Sequence, residues 1–134
     1  MLKRIFNIYL EGSKAIIISG EEVLLIRHNY GSSNWTLPGG RINRNELPEH
    51  ALVRELQEEL GLNVSDQFKF LNKINISDYD KTIVFVFLVK LNWADKEKIE
   101  LDPIEIKEYQ WFKLKELPVL SKVARQMLDC YLNF

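Results

Sequence analysis

The stretch GRINRNELPEHALVRELQEELGL, residues 40–62, decides the fold of this chain. Its second half predicts a helix over residues 48–60, because Pro48 suits a first helical turn and Gly61 stands where helices commonly end. Apolar side chains recur at helical spacing along one side of this segment, namely Leu52, Leu56 and Leu60. The helix is therefore predicted to be amphipathic, with its other side open to solvent or to a ligand.

Three acids share that other side of the predicted helix. Glu55, Glu58 and Glu59 are spaced i, i+3 and i+4, which places their carboxylates one helical turn apart. Each adjacent pair repels by about 3 kcal/mol at roughly 5–6 Å and an effective dielectric of about 20. The nearest basic residue, Arg54, is expected to point to one side and leave this repulsion in place. Hard divalent cations bind carboxylate oxygens, so the face predicts a Mg²⁺ site, with a solvated acidic face as the alternative.

The flanking residues complete a longer pattern. It runs from Gly40 over five residues to Glu46, then over seven residues to Arg54-Glu55-Leu56-Gln57-Glu58-Glu59-Leu60-Gly61-Leu62. This pattern is the signature of the Nudix hydrolases, and the chain resembles them from residues 37–40 through to residues 108–112 and 116–118. The resemblance implies a small MutT-like member, a single domain over residues 1–134. Its fold would be an α/β/α sandwich with a mixed sheet between helices.

The resemblance also assigns metal ligands and their support. It implies that Mg²⁺ or Mn²⁺ is held by the carboxylates of Glu55, Glu58 and Glu59 and by the backbone carbonyl of Gly39. Glu46 and Arg54 are interpreted as an ion pair that pins the loop to the helix and orients the ligands. Loss of such support typically costs about 10–100-fold in metal affinity or activity.

A further acid is expected to act as base or extra ligand ahead of the Trp111 segment. Glu105, six residues before Trp111, is the first choice. Glu100 and Glu108 are rivals, and a solvent-exposed role is open for all three.

Substrate contacts are predicted from basic and aromatic residues outside the helix. Arg27, at a strand end, and Arg41, directly after Gly40, are candidate phosphate contacts, although Arg27 also suits a capping charge. Trp35 and Tyr79 are candidates for stacking on a base. His28 and His50 have no partners at catalytic spacing and are interpreted as surface residues.

Apolar periodicity predicts the remaining elements. A hairpin is expected from residues 15–19 and 23–27, a second antiparallel pair from residues 68–76 and 82–91, a charged loop over residues 92–103, a strand over residues 104–112 and a helix over residues 122–132. Leu47 stands where a Ser or Thr helix cap is common, which puts helix stability in question.

Composition narrows the partners. The chain has 134 residues, a net charge of −1 and one cysteine. That charge gives no electrostatic case for a nucleic-acid polymer or a membrane as the main partner. A single cysteine fits a reducing compartment, and a cytoplasmic monomer or homodimer is expected.

The predicted activity is hydrolysis of a phosphoanhydride in a nucleoside diphosphate linked to another group. A nucleoside triphosphate, cut to a monophosphate and pyrophosphate, is the first choice. ADP-ribose, nucleotide sugars and dinucleoside polyphosphates stay open, as does a non-catalytic nucleotide sensor. Ser77 replaces the proline associated with many ADP-ribose hydrolases, which weakens that alternative.

Overall fold

Six strands and three helices form the part of the chain that the computed structural model describes, residues 10–29, 34–77 and 82–133. In chain order these are β1 Leu10–Ser19, β2 Glu22–His28, β3 Gly39–Arg41, α1 Pro48–Leu60, β4 Phe68–Ser77, β5 Thr82–Lys90, α2 Trp93–Lys96, β6 Ile106–Lys113 and α3 Lys122–Leu132. The two predicted long helices are confirmed with the predicted bounds.

The strands form one mixed sheet in the order β4-β5-β1-β2-β6, with β3 also paired to β1. The predicted hairpin is confirmed: β1 and β2 are antiparallel, and Ser19 lies opposite Glu22 across a turn in which Gly20 has a φ of +58°. The predicted pair β4 and β5 is also antiparallel. In contrast β1 and β5 run parallel, from Leu10 opposite Thr82 onward.

Alternate side chains of β1 enter two separate hydrophobic cores. Ala15 and Ile17 lie in a core with Leu52 of α1, whereas Ile16 lies in a second core with Met127 of α3. All five side chains are buried. Because a strand shows successive residues to opposite faces, α1 and α3 cover the two faces of the sheet. The predicted α/β/α layering is therefore confirmed.

The region between β5 and β6 differs from its prediction. The expected loop contains α2, which begins after a capping box in which Asn92 accepts from the Asp95 N–H and Asp95 accepts from the Asn92 N–H. Strand β6 begins at Ile106 and not at residue 104, because Ile104 N–H donates to Asp102 and its carbonyl accepts from Asn29. Side-chain hydrogen bonds thus hold a turn where apolar periodicity suggested a strand.

The two ends of α1 are stabilised unequally. Gly61 adopts a left-handed conformation with a φ of +66°. Its N–H donates to the carbonyl of Gln57, and the N–H of Leu62 donates to the carbonyl of Leu56. At the other end Leu47 has the extended backbone of a cap residue but makes no capping hydrogen bond through its side chain.

None of the helices in the described segments is long and apolar enough to cross a membrane.

Replacing Leu47 by serine is expected to stabilise the fold by about 1 kcal/mol, raising the melting temperature by roughly 3–5 °C. The Leu47 side chain is 53% exposed, so little packing is lost, and the hydroxyl can accept from a free N–H of the first turn. Thermal unfolding by circular dichroism measures the change. Leu47→Ala is the control, and a serine variant no more stable than the alanine variant would contradict the prediction.

Candidate active site

Strands β1 and β3 each hold α1 through a hydrogen bond, one at the first turn of the helix and one at Glu59 near its last turn. Ser13, fully buried on β1, donates its hydroxyl to the carbonyl of Pro48 at 2.7 Å. One strand over, the Gly39 N–H donates to Glu59 Oε1 at 2.8 Å. The helix is therefore fixed to the sheet by its first turn and by one of its predicted metal ligands.

Two consecutive glycines allow this close approach. Gly39 has a φ of +132°, and a Cβ there would lie 2.1 Å from the carbonyl oxygen of Ser13. At Gly40 a Cβ would lie 2.5–2.7 Å from the carboxyl atoms of Glu55. Glycine is needed at position 39 because of its positive φ and the nearby backbone of Ser13. Glycine at position 40 leaves the space that the Glu55 carboxylate fills.

Arg54 neutralises much of the acidic face. Its guanidinium binds Glu46 through two hydrogen bonds of 2.9 and 3.0 Å and donates to the carbonyl of Arg41 at 2.9 Å. The same group contacts Glu55 at 2.9 Å and Glu58 at 3.5 Å. The expectation that Arg54 points away from these acids is wrong, because its planar fork reaches the loop and the helix together.

The pair of Glu46 and Arg54 predicts an acid-dependent contribution to stability. Hydrogen bonds from Arg54 and the Asn43 N–H lower the pKa of Glu46 to about 2. Because this pKa is depressed in the folded state, the stabilisation is present above the ordinary carboxyl pKa and is lost as pH falls toward 2.

Thermal melts of wild type and Glu46→Gln between pH 6 and pH 2.5 test this contribution. The melting temperatures are expected to differ most above pH 5 and to converge toward the acid end. A difference that stays constant over this range would contradict the prediction.

Two carboxylates of α1, those of Glu59 and Glu55, are destabilised as anions. Burial raises the pKa of Glu59 to about 7, and the charges of Glu55 and Glu105 add to this rise. Burial also raises the pKa of Glu55, an effect that Arg54 opposes and that Glu58 and Glu105 reinforce. A bound cation would favour the charged form of both groups.

The structure separates the three candidates for the additional acid. The charge of Glu105 helps to raise the pKa of both Glu59 and Glu55, so this acid acts electrostatically on α1. Glu108 instead binds Arg27 at 2.9 Å. Glu100 lies at the far end of α1, where its backbone N–H donates to the carbonyl of Leu60. Of the three, Glu105 is the acid whose charge acts on Glu59 and Glu55, and its role stays a prediction.

Two basic side chains near this face were not predicted as site residues. Lys14 on β1 donates its ammonium to the carbonyls of Gly39 at 3.2 Å and Leu37 at 3.4 Å. Burial lowers its pKa, and the charges of Glu59, Glu55 and Glu105 oppose that shift. Since the lysine lies in β1, far from the glutamates in sequence, no local spacing could reveal the contact.

His28 is the second of these side chains, and its interpretation as a surface residue is wrong. It is partly buried at the end of β2. Burial and then the Lys14 charge lower its pKa, whereas the Glu105 charge and a hydrogen bond to the Glu105 backbone oppose the shift. The imidazole therefore lies beside the same group of charges.

The remaining predicted substrate contacts that fall in the described residues lie in two different settings. Arg27 binds Glu108 and lies over the Trp35 ring, 5.4 Å from its centroid. Trp35 also packs edge-on against Phe112, with centroids 5.0 Å apart. The Arg41 side chain is exposed on β3, next to the loop. Tyr79 lies outside the described residues.

The donor chemistry of the acidic face fits a hard divalent ion. The carboxylates and the Gly39 carbonyl would supply oxygen ligands to such an ion, and the ion would favour the charged form of the buried Glu59. Within residues 10–29, 34–77 and 82–133, no three His, Cys, Asp or Glu side chains already converge as a metal-binding group. The Glu58 side chain is 56% exposed, so it can turn toward an ion without loss of packing.

Comparison with known proteins gives the class of the molecule. The structure of a MutT NUDIX hydrolase from Burkholderia pseudomallei matches with a TM-score of 0.79 and 26% identity, over 91% of this chain and 97% of that one. The NUDIX domain family model matches residues 11–133, and the chain belongs to this family. It is a hydrolase, as its named relatives indicate.

Two of these relatives are named 8-oxo-dGTP diphosphatase. The protein from Buchnera aphidicola subsp. Acyrthosiphon pisum is 32% identical over 105 residues, which is 78% of this chain and 81% of that protein. The protein from Proteus vulgaris is 39% identical over 62 residues, which is 46% of this chain and 54% of that protein. Nudix proteins generally work with divalent metal ions.

Proposed function

We propose that the protein is a Mg²⁺-dependent pyrophosphohydrolase that cuts a nucleoside triphosphate to a monophosphate and pyrophosphate. The acidic face of α1 carries the proposal. Here the buried Glu59 accepts a hydrogen bond from the Gly39 N–H, and the Glu55 carboxylate packs against Gly40. These contacts orient carboxylates that repel one another. Arg54 offsets only part of this repulsion, since the pKa values of Glu55 and Glu59 stay raised, and a divalent ion would offset more of it.

In this proposal Glu55, Glu58, Glu59 and the Gly39 carbonyl hold the ion. When bound, the ion supplies charge neutralisation of the phosphate oxygens and increases the acidity of water. Arg54 keeps Glu55 oriented from the other side and leaves Glu58 accessible. In this proposal the ligands are therefore oriented before substrate binds, and Arg54 offsets part of their negative charge.

The hydrolytic step needs an acceptor for one proton of water. Water attacks a phosphorus of the anhydride in line, a new phosphorus–oxygen bond forms, and the bond to the bridging oxygen breaks. Glu105 is the candidate acceptor, because its charge acts on the acids Glu59 and Glu55 of α1. The leaving group keeps the electrons of the broken bond; it is pyrophosphate when the α-phosphorus is attacked and the nucleoside monophosphate when the β-phosphorus is attacked.

The names of the 8-oxo-dGTP diphosphatase relatives support a triphosphate substrate. ADP-ribose, nucleotide sugars and dinucleoside polyphosphates are the alternatives within the same chemistry. A sensor without catalysis is less favoured, because each acidic position of the motif is filled. The cytoplasmic location and the choice between monomer and homodimer stay predictions.

A phosphate-release screen with Mg²⁺ tests the proposal. It covers normal and oxidised nucleoside triphosphates, ADP-ribose, nucleotide sugars, dinucleoside polyphosphates and 5′-triphosphorylated RNA, with Glu58→Gln as the blank. Parallel samples contain inorganic pyrophosphatase or alkaline phosphatase. Signal from a nucleoside triphosphate that requires pyrophosphatase supports the proposal, whereas the same signal from the RNA alone contradicts it. Signal that requires alkaline phosphatase moves the substrate to an alternative, and silence throughout contradicts hydrolysis of these compounds.

A further inference from the structure

The ammonium of Lys14 donates a hydrogen bond to the Gly39 carbonyl oxygen, which is one of the proposed metal ligands. Its Nζ is 3.2 Å from the Gly39 carbonyl oxygen and 3.4 Å from that of Leu37. Strand register creates this contact, because β1 and β3 pair with Lys14 directly opposite Gly39. A Cβ at Gly39 would lie 3.0 Å from Lys14 Cδ, so the aliphatic part of the side chain packs on the glycine. The lysine is therefore held in place over the loop.

The same ammonium interacts with the acids that would bind the ion. Its charge attracts those of Glu59, Glu55 and Glu105. The Gly39 residue connects the two, since its N–H binds Glu59 while its carbonyl binds Lys14. An ion held by this carbonyl and by Glu59 would lie beside the ammonium, and two cations at such separation repel strongly.

We propose that Lys14 competes with the divalent ion for the Gly39 carbonyl. In the metal-free enzyme the ammonium binds this oxygen and balances the acids, and it leaves the oxygen when the ion binds. The inference rests on the proposed function, since it needs Gly39 and the helix glutamates as the metal site. Lys14 is thus a positioning residue that weakens binding of the bare ion.

Titration of the full chain with Mn²⁺, followed by the electron paramagnetic resonance signal of free Mn²⁺, tests the competition without substrate. Lys14→Met is expected to lower the Kd for Mn²⁺ by about tenfold. The rise in melting temperature caused by saturating Mn²⁺ should increase accordingly. Lys14→Arg keeps the positive charge and is expected to bind Mn²⁺ within about threefold of wild type, which a purely structural role would not predict.

Lys90→Met is the matched control. Lys90 is exposed at the end of β5, and its partner Ile18 lies four residues from Lys14 along β1, or about 13 Å. Replacement of Lys90 should leave the Kd for Mn²⁺ unchanged.

If circular dichroism shows that Lys14→Met does not fold, Lys14→Gln removes the same charge and should also bind Mn²⁺ more tightly than wild type.

Turnover of the wild type is measured on the same preparation to separate the two proposals. Turnover and Mn²⁺ binding in the wild type, with binding no tighter in the Lys14→Met or Lys14→Gln variant, would overturn the competition and leave the hydrolase standing. A wild type with neither turnover nor Mn²⁺ binding would overturn both.

Discussion

Replacing Glu58 by glutamine is expected to lower kcat by about 1,000-fold or more and to leave the metal-free fold intact. The change is nearly isosteric, and it removes one negative charge from the proposed metal site. A loss of about 4 kcal/mol of transition-state stabilisation corresponds to this factor. The side chain is 56% exposed and contacts Arg54 at 3.5 Å, so the free energy of unfolding should change by less than about 0.5 kcal/mol.

Steady-state hydrolysis and chemical denaturation in EDTA measure these two quantities. Glu49→Gln is the matched control, because it makes the same chemical change in the first turn of the same helix. The control should retain kcat within about twofold of wild type. Unchanged turnover in Glu58→Gln would refute the assignment of the acidic face as the catalytic metal site.

Replacing Arg54 by methionine is expected to lower kcat by about 100-fold and the free energy of unfolding by about 2 kcal/mol. The guanidinium joins Glu46, the Arg41 carbonyl and Glu55, so its loss frees the loop from the helix. It also leaves Glu55, largely buried over Gly40, without its cation. Unlike Glu58→Gln, this variant should therefore lose activity and stability together.

A double-mutant cycle with Glu46→Gln isolates the ion pair. The two changes should be non-additive by about 1–2 kcal/mol in stability, because they remove the same bidentate interaction. Arg54→Lys is the control that keeps charge without the planar fork, and it should recover only part of the loss. Full recovery by lysine, or additive changes, would show that the bidentate geometry is unimportant.

Much of the fold could be predicted from local pattern. Helices α1 and α3 both have strong apolar periodicity, and Pro48 and Gly61 mark the two ends of α1, so both helices were predictable. Helix α2 was missed because its four residues are too few to show a period, although its Asn92 and Asp95 cap is visible in retrospect. The late start of β6 depends on Asn29, a side chain distant in sequence.

The candidate site was predictable where it is local and not where it depends on strand pairing. The spacing of the glutamates placed them on one face because a helix has a fixed period. Which cations meet that face depends on side-chain direction and register. Arg54 turns toward Glu55 and Glu58, and Lys14 arrives from β1 through its pairing with Gly39. No spacing rule in a single sequence encodes these contacts.

The parallel pairing of β1 with β5 has a consequence for how the chain is made. Leu10 lies opposite Thr82, so 72 residues separate the first pair in sequence. During synthesis one edge of β1, with its run of apolar residues 15–18, lacks its native partner until β5 has left the ribosome. Such an open apolar edge invites pairing with other chains, and distant contacts form slowly. Recovery of native protein should therefore depend on the rate of synthesis and on temperature during expression, more than on the stability of the finished fold.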